Sequence, residues 1–283
     1  MEELAVFILT YGRPNNVKTY KTLNRFGYTG KKYLICSTDD KTLNQYKSQY
    51  KDEVVVFNKQ DVKNTFDIGD NFDDERVVVY ARNACFDIAK KLGIKYFLVL
   101  DDDYTDFSYR FNNELQYHKG RGYIKNIQEI FNAILNYYKS IPAKSIALSQ
   151  NGDWIGGENS SWAKELSLKR KCMNSFFCST ERPFKFIGRI NEDVNTYVRQ
   201  GTLGDIFLTI VNIRLEQLDT QSNKGGLTEF YLDGGTYVKS FYTVLFSPSC
   251  THINLMGNKN KRLHHRISWN NAVPKIIDEQ YKK

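Results

Sequence analysis

The stretch Tyr96-Phe97-Leu98-Val99-Leu100-Asp101-Asp102-Asp103 sets five apolar residues directly against three carboxylates. A short apolar run that stops this abruptly reads as a strand buried on both faces, the state of strands in a parallel sheet. The three aspartates then lie at its carboxyl end. Burying them unpaired would be costly, and a cation is the natural solution. Hard oxygen ligands suit magnesium or manganese, and an ion shared with two phosphates needs only one or two carboxylates from the protein. Alone, Asp-x-Asp is a weak motif, and a solvated cap on a strand is its ordinary reading. Directly after a buried strand, in an alternating chain, the metal site is the favoured reading.

Outward from that strand the chain alternates strand and helix. Residues 4–9 form a second apolar run, which breaks at Thr10-Tyr11-Gly12-Arg13-Pro14. Asn15 is expected to cap a helix reaching about Phe26. Residues 32–36 read as a strand ending at Ser37-Thr38-Asp39-Asp40, residues 42–50 as a helix and residues 54–57 as a strand. Helical spacing over residues 77–92 stops at Gly93, where a left-handed cap is expected. Strands separated by helices predict an α/β fold: a mostly parallel, doubly wound central sheet with helices on both faces and ligands beyond the carboxyl ends of the strands. Three loops should meet there, residues 10–13, 37–40 and 101–103. Beyond residue 110 the pattern is less regular, with a helix expected at 124–138, a strand at 145–148 and a Gly/Asn/Ser-rich loop at 150–161. No repeat or Pro-rich linker intervenes, so the expectation is a single compact domain with two halves, 1–110 and 111–283.

Composition narrows the classes. Forty Lys+Arg against 32 Asp+Glu leave a net charge of +8, which favours an anionic partner such as a nucleotide or nucleic acid. The acidic run at residues 67–75 makes that field uneven. The 19 Tyr and 18 Phe mark a globular chain and suit surfaces that stack on sugars or bases. Cys36, Cys85, Cys172, Cys178 and Cys250 include no Cys-x-x-Cys pair, which argues against a zinc site or a disulfide framework and fits a reducing cytoplasm. Glutamates at the N-terminus are the wrong charge for a secretory signal, and no apolar stretch approaches membrane-spanning length, so a cytoplasmic location is expected. Neither a phosphate-cradling Gly-x-x-x-x-Gly-Lys-Ser/Thr loop nor a Gly-x-Gly-x-x-Gly turn is present, which removes the main support for kinase, ATPase and dinucleotide oxidoreductase readings.

Other candidates are scattered. Arg82, on the helix before the acidic strand, has the planar fork to reach a phosphate, although a surface arginine is as good a reading. Asp39 is placed to accept from a nucleobase or ribose, or to cap the next helix. Glu192-Asp193 stands where a helix begins: one carboxylate can act as general base toward an acceptor hydroxyl, or both can simply complement the helix dipole. His264-His265-Arg266 lies in a loop-like stretch, where an imidazole can complete a metal shell and Arg266 or Lys261 can meet a diphosphate.

Together these motifs resemble a known family. Leu9-Thr10-Tyr11-Gly12-Arg13, Val79-Tyr80-Ala81-Arg82-Asn83, Tyr96 through Asp103 and Glu192-Asp193 are similar to glycosyltransferases of the GT-A, Rossmann-like fold. Gly225-Gly226-Leu227-Thr228, Gly235-Thr236-Tyr237-Val238-Lys239-Ser240, Pro248-Ser249 and His264-His265-Arg266 resemble more narrowly the phage and kinetoplastid glycosyltransferases associated with TET/JBP-type pyrimidine hydroxylases. The resemblance implies a nucleotide-sugar-binding half at 1–110 and an acceptor-binding, catalytic half at 111–283. It implies a UDP-glucose-like donor, a divalent metal (Mn2+ or Mg2+), and as acceptor the hydroxymethyl group of a modified pyrimidine in double-stranded DNA. Asp101, Asp103 and His265 would hold the metal, with His265 alternatively on the diphosphate and Asp102 able to replace either neighbouring aspartate. Thr10, Tyr11, Gly12, Arg13, Asp39, Arg82, Asp102 and Arg266 would bind the donor, and Asp193 or Glu192 would be the base. A base extruded from the duplex needs rings to hold it, and Trp154, Trp162 and Trp269 are candidates, with Lys169-Arg170-Lys171 and Lys259-Asn260-Lys261-Arg262 for phosphates. The competing functions are transfer to a protein or glycan, nucleotidyl transfer, which would release pyrophosphate, and a non-enzymatic DNA-binding protein.

Overall fold

The structure is a computed structural model that describes residues 3–217, 238–256 and 261–272. Its first half consists of β1 (Leu4–Leu9), α1 (Lys18–Arg25), β2 (Lys32–Ser37), α2 (Leu43–Tyr50), β3 (Val54–Phe57), α3 (Gln60–Lys63), α4 (Val79–Lys91) and β4 (Tyr96–Asp101). The chain continues through β5 (Tyr104–Phe111), β6 (Tyr117–Tyr123), α5 (Ile127–Ser140), β7 (Ser145–Gln150), β8 (Ser175–Ser179), α6 (Glu192–Thr202) and β9 (Phe207–Gln217). After residue 237 come α7 (Val238–Phe246), β10 (Thr251–Met256) and β11 (Arg262–Ile267).

One nine-stranded sheet runs in the order β3-β2-β1-β4-β8-β7-β9-β5-β6. The first four strands are all parallel and carry the 3-2-1-4 order of a doubly wound nucleotide-binding half. Beyond β4 the sheet is mixed: β8 is antiparallel to both β4 and β7, while β7 and β9 are parallel. β10 and β11 form a separate hairpin, against which α7 packs.

Alternation explains why β1 and β4 are apolar throughout. Ala5, Phe7, Leu9, Phe97 and Val99 enter one core with residues of α4 and α6, whereas Leu4, Val6, Ile8, Tyr96, Leu98 and Leu100 enter the opposite core with residues of α1, α2 and α5. Both faces are therefore covered by helices. The register pairs Leu9 with Asp101 and with Ile35, which brings the loops after β1, β2 and β4 to one edge of the sheet.

Several local expectations change. Asn15 caps nothing; it lies in a single 3-10 turn over Pro14–Asn16, and α1 begins at Lys18 without a side-chain cap. Proline at the start of that turn presets its φ, and the helix start falls two residues later than expected, with Val17 in the cap position. His264, His265 and Arg266 belong to a strand, not a loop. Gly93 does take the left-handed conformation, with φ 67°. The Gly225–Thr228 motif, residues 235–237, Lys259 and Asn260 lie outside the described residues. All five cysteines are free and buried, and no described helix is long and apolar enough to cross a membrane.

Phe97 stacks on Phe7 at 5.1 Å and meets Phe86 edge-on at 5.2 Å, so it joins sheet and α4. Phe97→Ala is expected to lower stability by about 3–5 kcal/mol. Urea unfolding checks this, and a loss below about 1 kcal/mol would show that α4 is not anchored through this ring.

Candidate active site

The loops after β1, β2 and β4 are locked to one another before any ligand is considered. Thr10 Oγ1 donates to Asp102 Oδ2 at 2.7 Å, and Arg13 Nη1 lies 3.3 Å from Asp102 Oδ1. The Gly12 amide donates to Asp40 Oδ2 at 2.8 Å, and the Arg13 amide to the Tyr46 hydroxyl at 2.9 Å. Gly12 turns with φ 72°, a conformation that costs other residues strain. Behind them Thr19 donates through its amide to the Asp102 carbonyl and through Oγ1 to the Asp101 carbonyl, so the start of α1 holds the acidic turn in place.

The three aspartates consequently differ. Asp102 is buried with both oxygens engaged, and burial pushes its carboxyl up to about 6 against the pull of Arg13. It is a lock between loops rather than a free ligand. Asp103 has a buried Oδ1 without a hydrogen-bond partner, and burial, then Asp101 and Asp102, push it up to about 7. Asp101 is more open and accepts from Arg82 Nη2 at 3.1 and 3.4 Å. Asp39 is not a helix cap; it pairs with Lys59 at 2.8 Å, while Asp40 caps the Thr42 turn. Burial pulls Asp39 upward, but Lys59 and Ser37 hold it below its ordinary value. The Tyr11 hydroxyl reaches Asp39 at 3.5 Å, beneath the same lysine.

Arg82 connects this group to the other half. It is almost fully buried, with Nε donating to Glu192 Oε1 at 2.7 Å and Nη2 turned to Asp101. Its guanidinium lies 4.9 Å from the Phe176 ring centroid. Glu192 and Asp193 open α6, where the dipole favours negative charge. Asn191 enters the helix at φ 55°, and Gly188 at φ 87° takes a left-handed conformation that strains any other residue, with Asn195 and Phe246 already occupying the space a Cβ would need. Burial, opposed by Arg82 and reinforced by Asp193, pushes Glu192 up to about 7. Asp193, buried with Oδ1 accepting from the Val194 amide at 2.7 Å, is also raised by burial.

The hairpin closes the far side. Asn191 Nδ2 lies 3.3 Å from His265 Nδ1 and donates to the Lys239 carbonyl at 2.8 Å, which settles that His265 faces α6. Burial and neighbouring cations push His264 down to about 4 and His265 to about 3, so both imidazoles are neutral near pH 7. Strand alternation turns Arg266 to the opposite face from His265, and it is exposed, so it does not join this group. Among the described residues no three His, Cys, Asp or Glu side chains converge as a metal cage. The set Asp101, Asp103 and His265 is therefore not preformed. Trp154 is core, stacked on Tyr117 at 5.5 Å and donating to Ser149 Oγ.

Residues 4–226 match the model of the TET-associated glycosyltransferases, more than half of the chain. The chain belongs to this family. No curated protein matches it. Among solved structures, it is similar to Staphylococcus aureus TarS in complex with UDP, at 11% identity and TM-score 0.41, over 76% of this chain and 60% of that one. It is also similar to the Pyrobaculum calidifontis mannosyltransferase PcManGT in complex with GDP-Man and Mn2+, at 9% identity and TM-score 0.45, over 76% and 56%. Glucosyl-3-phosphoglycerate synthase from Mycobacterium tuberculosis matches at 9% identity and TM-score 0.44, over 93% and 86%. The chain thus spans 60% and 56% of the length of the first two. The 3-2-1-4 parallel strands with helices on both faces are the α/β, Rossmann-like arrangement expected of the GT-A fold.

For this TET-associated glycosyltransferase the donor set at the end of β4 fits a hard divalent cation. Asp103 offers an unpartnered oxygen and Asp101 a partly exposed one, which suffices when phosphates supply the remaining ligands. Thr19, Tyr46, Lys59 and Asn191 take part without any local sequence signal, because each acts on a residue distant along the chain.

The raised Glu192 carboxyl has a thermodynamic consequence. The folded state retains that proton while the unfolded state loses it near the ordinary value of 4.5, so stability falls as pH rises from there to about 7. Glu192→Gln, which can still accept from Arg82, should flatten the fall in melting temperature across this window. An unchanged pH profile would contradict the raised carboxyl.

Proposed function

We propose that the chain is a divalent-metal-dependent glycosyltransferase that moves a sugar, glucose in the first instance, from UDP-glucose to the hydroxymethyl group of a modified pyrimidine in DNA. Family membership supports sugar transfer. The observation that carries the site is Arg82, which bridges Asp101, at the end where a donor diphosphate would lie, and Glu192, beside the candidate base.

Asp101 and Asp103 would hold the cation, whose chemistry is to neutralise charge on the departing diphosphate. The loop at residues 10–13 and Asp39 would border the nucleoside. Asp193 is the proposed general base. Burial makes it a better proton acceptor than a solvated aspartate, and Glu192 is occupied by Arg82. The acceptor oxygen would lose its proton to Asp193 and bond to the anomeric carbon as the bond to the diphosphate oxygen breaks, a single displacement with inversion. His265, neutral beside Asn191, offers a lone pair or N–H to the diphosphate or metal. The two halves, 1–110 and 111–283, would serve donor and acceptor respectively, with a reducing cytoplasm as the setting.

Mass spectrometry of hydroxymethylated duplex incubated with UDP-glucose and manganese should find one added hexose on the modified base and free UDP. Released pyrophosphate, or sugar found only on protein or glycan acceptors, would contradict the reading. Asp193→Asn should retain UDP affinity and lose transfer by about a hundredfold to ten-thousandfold. Transfer near the parental rate would move the base to Glu192.

A further inference from the structure

The segment Lys169-Arg170-Lys171 lies against two tryptophans. The Lys169 and Lys171 ammonium groups stand 6.0 and 5.6 Å from the Trp162 ring centroid, and the Arg170 guanidinium 5.3 Å from that of Trp269. Trp269 stacks in turn on Tyr197 at 6.0 Å, with the planes 16° apart. Tyr197 sits one helical turn after Asp193 on the same face of α6. A chain of contacts therefore leads from the proposed base to an exposed arginine through two flat rings. Arg170 is exposed, and both tryptophans are half-buried.

The burial of Asp193 constrains the acceptor. Its side chain belongs to a residue only 6% exposed, whereas the hydroxymethyl group of a paired base points into the major groove. A nucleotide must leave the stack to bring its hydroxyl to such a carboxylate. An unstacked base needs an aromatic face, and the phosphates on either side need cations, which is the combination used to hold single-stranded nucleic acid.

Resting on the DNA-acceptor reading above, we propose that Trp162 and Trp269, with Lys169 and Arg170, form the acceptor shelf: one nucleotide is extruded, its base lies on a ring face, and its flanking phosphates take the cations. The lysine and arginine now over the rings hold the place of the base and move to phosphate when the strand arrives. Lys171 is tied to Asp153 and stays as a support. Lys169 leaves a modest pair with Glu165, at 3.0 Å.

The test is steady-state transfer to a hydroxymethylated single-stranded oligonucleotide by the full chain, with affinity for UDP measured in parallel to report an intact fold. The charge reversal Lys169→Glu/Arg170→Glu, at surface positions, should raise KM for the oligonucleotide at least tenfold. It should also make the slope of log affinity against log salt shallower by about 1.4, two phosphate contacts at about 0.7 each. Trp162→Ala should raise the same KM, and Trp269→Phe, which keeps a flat ring, should raise it less than Trp269→Ala. If the parental chain glycosylates the oligonucleotide and the charge-reversed variant does so with parental KM and salt slope, the shelf is overturned while the acceptor reading stands. If the parental chain transfers sugar to no DNA, single-stranded or duplex, the acceptor reading fails and takes the shelf with it.

Discussion

A guanidinium shared by two carboxylates from opposite halves of the chain is the constraint on which the rest of the site depends. Arg82 stands on α4, Asp101 ends β4 and Glu192 opens α6; the arginine and the glutamate are buried, and Asp101 meets them from a partly exposed edge. Each buried ion carries a desolvation cost of several kcal/mol, offset only when its partners and geometry are good. Removing one partner leaves a charge uncompensated, at about 3–5 kcal/mol. The arrangement consequently fixes the distance between the acidic end of β4 and the start of α6. Under the proposed reaction those are the leaving-group end and the proton-accepting end. Phe176 and Phe186 give the guanidinium faces to lie on, which limits its freedom to turn away.

Crowding of like charge follows from that frame. On top of burial, Asp101 bears on Asp102 and Asp193, Asp101 and Asp102 bear on Asp103, and Asp193 bears on Glu192, each raising the carboxyl it faces. Asp102 is relieved by Thr10 and Arg13, Asp101 and Glu192 by Arg82, and Asp103 by no hydrogen-bond partner at its buried oxygen. That unpartnered oxygen is the one free to take a cation under the proposed reaction. Around the hairpin the sign reverses: burial, reinforced by Lys239 and Lys171, keeps both histidines neutral. Negative charge at the end of β4 and positive charge near β11 suit a cation and a diphosphate between them.

How much of this was legible depended on whether the information was local. β1 and β4 are visible because strands buried on both faces are apolar almost throughout, β2 and β3 because each keeps a short apolar run, although β2 is only partly buried at its start and β3 throughout, and α4 because it stops at a glycine. The end of β4 stood out as a candidate site for the same reason, since three carboxylates set directly after such a run favour a cation over the ordinary reading of a solvated cap. β8 is only five residues, and β9 buries alternate residues from Phe207 to Leu215, a weaker signal in a stretch that also contains Asn212, Arg214 and Glu216. His264 and His265 read as loop because their strand is a half-exposed hairpin. That Arg82 faces inward could not be read locally, as its partners lie 19 and 110 residues away. The same holds for Trp154, whose ring stacks in the core on Tyr117 of β6.

The most direct measurement is calorimetric binding of UDP, with and without manganese, to the parental chain and to the Asp101→Asn/Asp103→Asn variant. The account predicts that manganese strengthens UDP binding to the parental chain and has no such effect on a variant that melts as cooperatively as the parent. Manganese-dependent UDP binding of parental strength in that variant would contradict the claim that the carboxylates ending β4 hold the donor through a metal.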